Sequence, residues 1–152
     1  MIKTSFLRPS RKIKEIDGGL FETKIFDLTV RSRHYNTLKK TFDNIFLKGI
    51  YDFDIDRTAP FIIDGGANIG LASLFWKRRY PSSEILAFEP SREVCKVLVE
   101  NLRINGFHDV RVLESALYHT KTQLEFVTNE GLSGSLFLEK KLPQSYKVQT
   151  AI

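Results

Sequence analysis

A single cysteine, Cys95, stands in 152 residues, which excludes an intramolecular disulfide and a cysteine-based metal cluster and agrees with a reducing compartment. Its thiol reads as packed rather than reactive. Histidine is nearly as scarce. His34, His108 and His119 are scattered, without a His-x-x-x-His pair, carboxylates at ligand spacing or an acid placed for a proton relay. No metal is predicted, and all three read as solvated loop residues. Long apolar runs are missing too. The longest, Leu71 to Trp76, is interrupted by Ser73 and is far too short for a bilayer span or a signal peptide, so a cytoplasmic protein is the expectation. There is no internal repeat and no low-complexity segment. What remains, at 42% hydrophobic and 27% charged residues, is the composition of one globular domain with a core of its own.

The net charge of +5 is an N-terminal property: residues 1–40 hold ten Lys or Arg against four Asp or Glu, a balance of +6, so the remainder sums to −1. Lys3, Arg8, Arg11, Lys12 and Lys14 are interleaved with few aromatics. A solvated arm is therefore preferred to an anionic-partner patch, and nucleic acid is not the expected partner.

Periodicity supplies the organisation. Phe21 to Arg33, after the Asp17-Gly18-Gly19 turn signal, reads as a strand or hairpin arm. Thr37 to Lys48 carries Leu38, Phe42, Ile45 and Phe46 at helical spacing and stops at Gly49. Tyr51 to Arg57 alternates apolar residues with Asp and reads as a linker or short exposed strand. From Pro60 the chain alternates β and α. Phe61-Ile62-Ile63 predicts a strand buried on both faces of a parallel sheet. Ile69 to Tyr80 predicts a mostly apolar helix ending in Lys77, Arg78 and Arg79, where the helix dipole favours cations. Ile85 to Phe88 is the second strand. A second helix, capped by Ser91 and closed by Asn105-Gly106, leads to a third strand at Val110 to Leu113. Strand, helix, strand, helix, strand is the pattern of βαβ crossovers in a doubly wound, mostly parallel α/β sheet. Gln123 to Val127, Ser135 to Leu138 and Tyr146 to Ala151 follow as short strands, with the Gly131 to Ser135 loop favoured as a hairpin turn.

In such a sheet, ligands bind beyond the carboxyl ends of the strands. The first strand-to-helix turn there is Asp64-Gly65-Gly66-Ala67-Asn68-Ile69-Gly70. Its spacing excludes the dinucleotide fingerprint, whose third position must be glycine and is Ala67 here, and no Gly-Lys-Ser or Gly-Lys-Thr makes it a P-loop. Glycine permits close approach and positive φ, and Asn68 is among the few other residues that tolerate the left-handed region. Asp64 would repel a pyrophosphate and attract the ammonium of a methionine moiety. Glu89, 25 residues beyond Asp64, ends the second strand near the separation of ~20 residues at which a carboxylate accepts ribose hydroxyls.

The Asp64-to-Gly70 run, Phe88-Glu89-Pro90, the Asn101 to Asn105 helix end and Ser115-Ala116-Leu117 resemble the FkbM-type methyltransferases. The resemblance covers roughly Thr37 to the C-terminus. It implies a Rossmann-like class I methyltransferase fold with an N-terminal cap, S-adenosylmethionine as methyl donor, and O-methylation of a hydroxyl on a sugar, glycan or natural product. It divides the chain into a basic arm with strands at 1–36 and a methyltransferase domain at 37–152, with its entry helix at 37–48 and its cofactor-binding core at 60–117. By the same resemblance Asp64, Gly65, Gly66, Ala67, Asn68 and Gly70 line the methionine and ribose, Glu89 with Pro90 holds the ribose, and Ser115 with Ala116 borders the adenine.

The family's pattern continues with a strand carrying a Lys-x-Asp-x-Glu-Gly run, and this sequence stops at Ile152 where that strand is due. The domain is thus expected to be truncated, its first strand an exposed apolar edge, which predicts a homodimer or a poorly soluble monomer. Two alternatives stay open: a non-catalytic cofactor-binding module, and an RNA methyltransferase or RNA binder guided by the basic arm. Trp76 and Phe75 read as core rather than acceptor pocket, and Tyr35, Tyr51 and Phe53 as a possible lid over the turn.

Overall fold

The computed structural model describes residues 13–129, 133–136 and 145–151. It opens on an antiparallel meander of β1 (Lys14–Glu15), β2 (Phe21–Ile25) and β3 (Leu28–Ser32). Between β1 and β2, Gly18 and Gly19 both take positive φ, 55° and 75°, a consecutive pair that side chains resist. Phe26 turns the β2–β3 hairpin at φ 55°. It is held there by the Arg78 guanidinium, 4.6 Å above its ring, while Arg78 Nε also donates to Asp27 at 2.8 Å. The basic arm ahead of Ile13 lies outside the described residues.

The helix predicted over Thr37–Lys48 is in two parts. α1 (Tyr35–Phe42) is α-helical, and Asp43–Leu47 winds on as a π-helix, with Lys48 N–H reaching back five residues to Asp43 O at 3.0 Å. The wider turn lets the consecutive residues Ile45 and Phe46 both sink into the core, where Phe46 stacks on Phe42 and meets the edge of Phe75. Tyr51 to Arg57 forms no strand. Its acids have another use: Asp52 and Asp54 pair with Arg79 at 2.7 and 2.5 Å.

The frame of the α/β part is β4 (Phe61–Gly65), α2 (Leu71–Arg79), β5 (Glu84–Phe88), α3 (Arg92–Ile104) and β6 (Arg111–Leu113). The three strands are parallel, in the order β4-β5-β6, and with their crossover helices they make a Rossmann-like α/β unit. Ile62, Ile85 and Ala87 share one core cluster with Leu71 and Leu74 of α2, Leu98 and Leu102 of α3, and Ile25, Leu28 and Val30 of the meander.

Three local expectations are corrected. β4 is not buried on both faces: Phe61 and Ile63 are 62% and 52% exposed, because among the described residues the helices cover only the face that carries Ile62 and Asp64. Lys77, expected as one of three cations at the helix end, is sunk into the core at 1% exposure. Its ammonium donates to Ser83 O at 2.6 Å and Pro81 O at 3.2 Å, and pairs with Asp109 at 2.6 Å. Ser91 does stand at the N-cap of α3, but its side chain makes no capping bond; its N–H donates instead to Glu89.

Beyond β6, β7 (Ala116–Leu117), β8 (Gln123–Asn129), β9 (Ser133–Leu136) and β10 (Ser145–Ala151) form a separate sheet in the order β7-β10-β8-β9. β8 and β9 pair antiparallel as a hairpin, from Phe126↔Leu136 to Asn129↔Ser133. The residues between them, Gly131 included, lie outside the described part, as do 137–144. No helix among the described residues is long and apolar enough to cross a membrane.

Candidate functional site

The carboxyl ends of β4, β5 and β6 meet at one rim. Gly66 and Ala67 N–H both donate to Phe88 O, at 2.9 and 2.8 Å, and Glu89 N–H donates to Leu113 O at 3.0 Å, so each strand end is laced to the next. The turn then follows a path that its sequence permits: Gly66, Asn68 and Gly70 all have positive φ, 78°, 52° and 88°. Asn68 stabilises its own left-handed conformation by accepting Ile69 N–H on its side-chain oxygen at 2.8 Å. Gly70 is required on a second count. A Cβ there would lie 2.5 Å from Leu98 Cδ1, so a larger residue would have to displace that buried side chain of α3. A Cβ at Gly66 would meet nothing within 4 Å, and the space over the turn is open.

Two carboxylates are sunk into this rim. Asp64 is 6% exposed and accepts the Ser73 hydroxyl at 2.6 Å. Glu89, equally buried, accepts Asn68 N–H on one oxygen at 2.9 Å and Ser91 N–H on the other at 2.8 Å. Burial raises both pKa values above the ordinary carboxylate range; the hydrogen bonds oppose the rise, and for Glu89 the neighbouring Asp64 charge adds to it. Among the described residues neither carboxylate has a cation in ion-pair contact. A site built this way is short of positive charge.

The turn borders a cleft of about 350 Å³, lined by Asp64 to Ile69 on one side and by Thr41, Ile45, Tyr51 and Trp76 on the other. This volume lies at the low end of the ~300–1,000 Å³ typical of small-molecule sites. Glu89, Pro90, Ser115 and Ala116 do not line it; they stand along the same rim, past the turn. Ser115 is 8% exposed, and its hydroxyl has no hydrogen-bond partner among the described residues. A buried hydroxyl left unpaired is costly, and a polar ligand at the end of β6 would satisfy it.

Two proteins align with this chain. "Methyltransferase sdnD" of Sordaria araneosa is 39% identical over 95 residues, 62% of this chain and 37% of the relative. "Methyltransferase 1" of Beauveria bassiana is 31% identical over 106 residues, 68% of this chain and 43% of the relative. The chain is homologous to methyltransferases. It spans less than half the length of either relative. No protein-family model matches it. The crystal structure of a SAM-dependent methyltransferase from Agrobacterium tumefaciens superposes with a TM-score of 0.48 at 14% identity, covering 68% of this chain and 34% of that one; so partial an overlap adds nothing to the fold read from the strands.

In this methyltransferase homologue the structure brings Asp64, Gly65, Gly66, Ala67 and Asn68 to the cleft wall and sets Gly70 under α3. Of the aromatics read as a lid, Tyr51 lines the cleft, Phe53 packs on Trp76 and Tyr80, and Tyr35 meets Phe21 instead. Trp76 is both core and cleft wall: it packs against the buried cluster, lines the cleft, and donates its indole N–H to Tyr51 O at 3.1 Å. The cleft positions of Thr41 and of Ile45, the latter legible only as an apolar helix residue, were not evident from the sequence, because helical spacing reveals which face is buried and not which end of that face meets a ligand. His108 and His119 are exposed and His34 is half-buried, and the described residues contain no cluster fit for a metal ion. Cys95 is buried, with its thiol pKa pushed up to about 11 by burial and by the nearby Glu114 and Glu89 charges.

Proposed function

We propose that this chain carries the S-adenosylmethionine site of an FkbM-type O-methyltransferase whose acceptor is a hydroxyl on a sugar, glycan or natural product. The observation that carries the reading is the pair of buried carboxylates, Asp64 and Glu89, beside a turn that runs through three left-handed residues beneath open space. A ligand with an ammonium, a sulfonium and a ribose, and without phosphate, complements them. Asp64 and the Gly65–Asn68 backbone face the amino-acid end. Gly70 keeps the turn low, and Glu89, with Pro90 behind it, offers its remaining lone pairs to the ribose hydroxyls. Ser115 and Ala116 border the base, where the Ser115 hydroxyl gains a partner. When bound, S-adenosylmethionine supplies a methyl group activated by the adjoining sulfonium. The chain's own part is to bind and orient that donor.

Calorimetric titration of S-adenosylmethionine into the wild type and a Glu89→Ala variant tests the reading. Saturable binding is expected, weakened at least about tenfold in the variant, the worth of one hydrogen bond to a charged acceptor. No wild-type binding would sink it. Binding without turnover on any hydroxyl acceptor would favour the non-catalytic module. The edge of β4, unpaired among the described residues, with Phe61 and Ile63 exposed beside it, further supports pairing with a second copy of the chain; a concentration-independent monomer mass by light scattering would end that part of the proposal.

A further inference from the structure

β3 is the edge of its meander, yet its outward backbone groups are not left to water. α3 runs alongside and meets them with two side-chain amides. Asn101 accepts Arg31 N–H at 2.8 Å and donates to Arg31 O at 2.9 Å. Asn105 accepts Thr29 N–H at 2.8 Å and donates to Thr29 O at 2.7 Å. Each amide thus gives one strand residue the two bonds that a neighbouring strand would give. The spacings agree: four residues of helix advance ~6.0 Å and two residues of strand ~6.8 Å, a mismatch that side-chain torsions absorb. The Arg31 guanidinium adds ion pairs to Glu22 and to Glu100 of α3, both at 2.9 Å.

The two amides are alike at the strand and differ behind it. The second N–H of Asn105 returns to its own helix, to Asn101 O at 2.7 Å. The second N–H of Asn101, whose side chain is wholly buried, donates to Ile69 O at 2.8 Å, inside the Asp64-to-Gly70 turn. One helical turn earlier Leu98 presses on Gly70. α3 therefore holds the turn by one apolar and one polar contact, and the polar one comes from the same amide that docks the meander.

We propose that Asn101 is a positioning residue for the cofactor turn, coupling the docking of the β2–β3 hairpin to the conformation of Asn68-Ile69-Gly70, whereas Asn105 docks the hairpin alone. The ligand in question rests on the function proposed above; the coupling itself does not. The test compares Asn101→Asp with Asn105→Asp, isosteric changes that keep the acceptor for the strand N–H and remove both donors. Trp76 is the sole tryptophan and lines the same cleft as the turn, so its fluorescence follows titration with S-adenosylmethionine. Asn101→Asp weakens binding about five- to tenfold, the scale of one lost hydrogen bond, and Asn105→Asp less than twofold. Amide hydrogen exchange gives an independent readout: Asn101→Asp speeds exchange in both β3 and residues 66–70, and Asn105→Asp in β3 only. Equal effects of the two variants on the turn, or an unchanged turn in Asn101→Asp, overturn the proposal. Should the wild type bind no S-adenosylmethionine, the functional reading fails and the exchange comparison alone decides the coupling. If Asn101→Asp does not fold, Asn101→Ser, which keeps a hydroxyl in place of the amide, carries the same comparison.

Discussion

The two ends of α2 each bury charge, and they treat it oppositely. At the C-terminal end the Lys77 ammonium has a carboxylate and two carbonyls around it, one partner for each of its protons. Near the N-terminal end, among the described residues, Asp64 is met by Ser73 and Glu89 by two backbone N–H groups, with no cation at either. Buried charge is expensive unless it is paired and hydrogen-bonded. The Lys77 end has been completed by the fold and holds α2 to the strand that follows. The carboxylate end has been left without a charge partner among the described residues, which is what the proposed cationic ligand would supply.

The sharpest way to break the contrast is Lys77→Ala. It removes the buried stem beyond Cβ and strands the Pro81 and Ser83 carbonyls, so a loss of about 3–5 kcal/mol in urea unfolding is expected. A loss below 1 kcal/mol would mean that the pairing is ornamental. Glu89→Gln comes next. A carboxamide has one acceptor oxygen where two backbone N–H groups need one each, so the amide of Asn68 or of Ser91 is left facing an NH₂ group. The expected cost is about 1–3 kcal/mol, together with weaker S-adenosylmethionine binding. Asp64→Asn has the smallest effect on stability and should leave the melting temperature unchanged or raised. Its amide oxygen still accepts the Ser73 hydroxyl, while the penalty for burying a charge disappears. Affinity for S-adenosylmethionine should nevertheless fall by about tenfold or more. Loss of stability and of affinity together in this variant would show that Asp64 is a structural acid.

The pH dependence separates the two ends again. Asp64 and Glu89 have folded pKa values raised above their ordinary ones, so between the ordinary and raised values the native state binds more protons than the unfolded chain. Stability contributed here falls as pH rises through that window. Asp109 is held below the ordinary range by its hydrogen bond to Lys77; its contribution is present above that range and fades as pH falls through its lowered value. In thermal melts from pH 3 upward, the difference between wild type and Asp64→Asn should move against the wild type as pH rises, and saturating S-adenosylmethionine should abolish that trend. A difference between the two proteins that does not change with pH would place the raised groups elsewhere.

Much of this was legible in the residues one after another. The alternation of apolar strands and helices, the glycines and Asn68 of the turn, and the acids at two strand ends are all statements about local backbone freedom and side-chain chemistry, which a short window of sequence contains. Partnership is not. Lys77, Arg78 and Arg79 read as three equivalent cations at a helix end, and one went into the core while the others took Asp27, Asp52 and Asp54. Asn101 and Asn105 were visible as part of a helix end, yet their bonds run to residues 70 and 76 positions away. The exposed half of β4 likewise depends on which face of the sheet the helices cover. Sequence alone determined where the turn lies and what kind of charge it presents. Only the tertiary structure decided which charges are satisfied and what holds the turn in place, because desolvation and pairing are properties of neighbours in space.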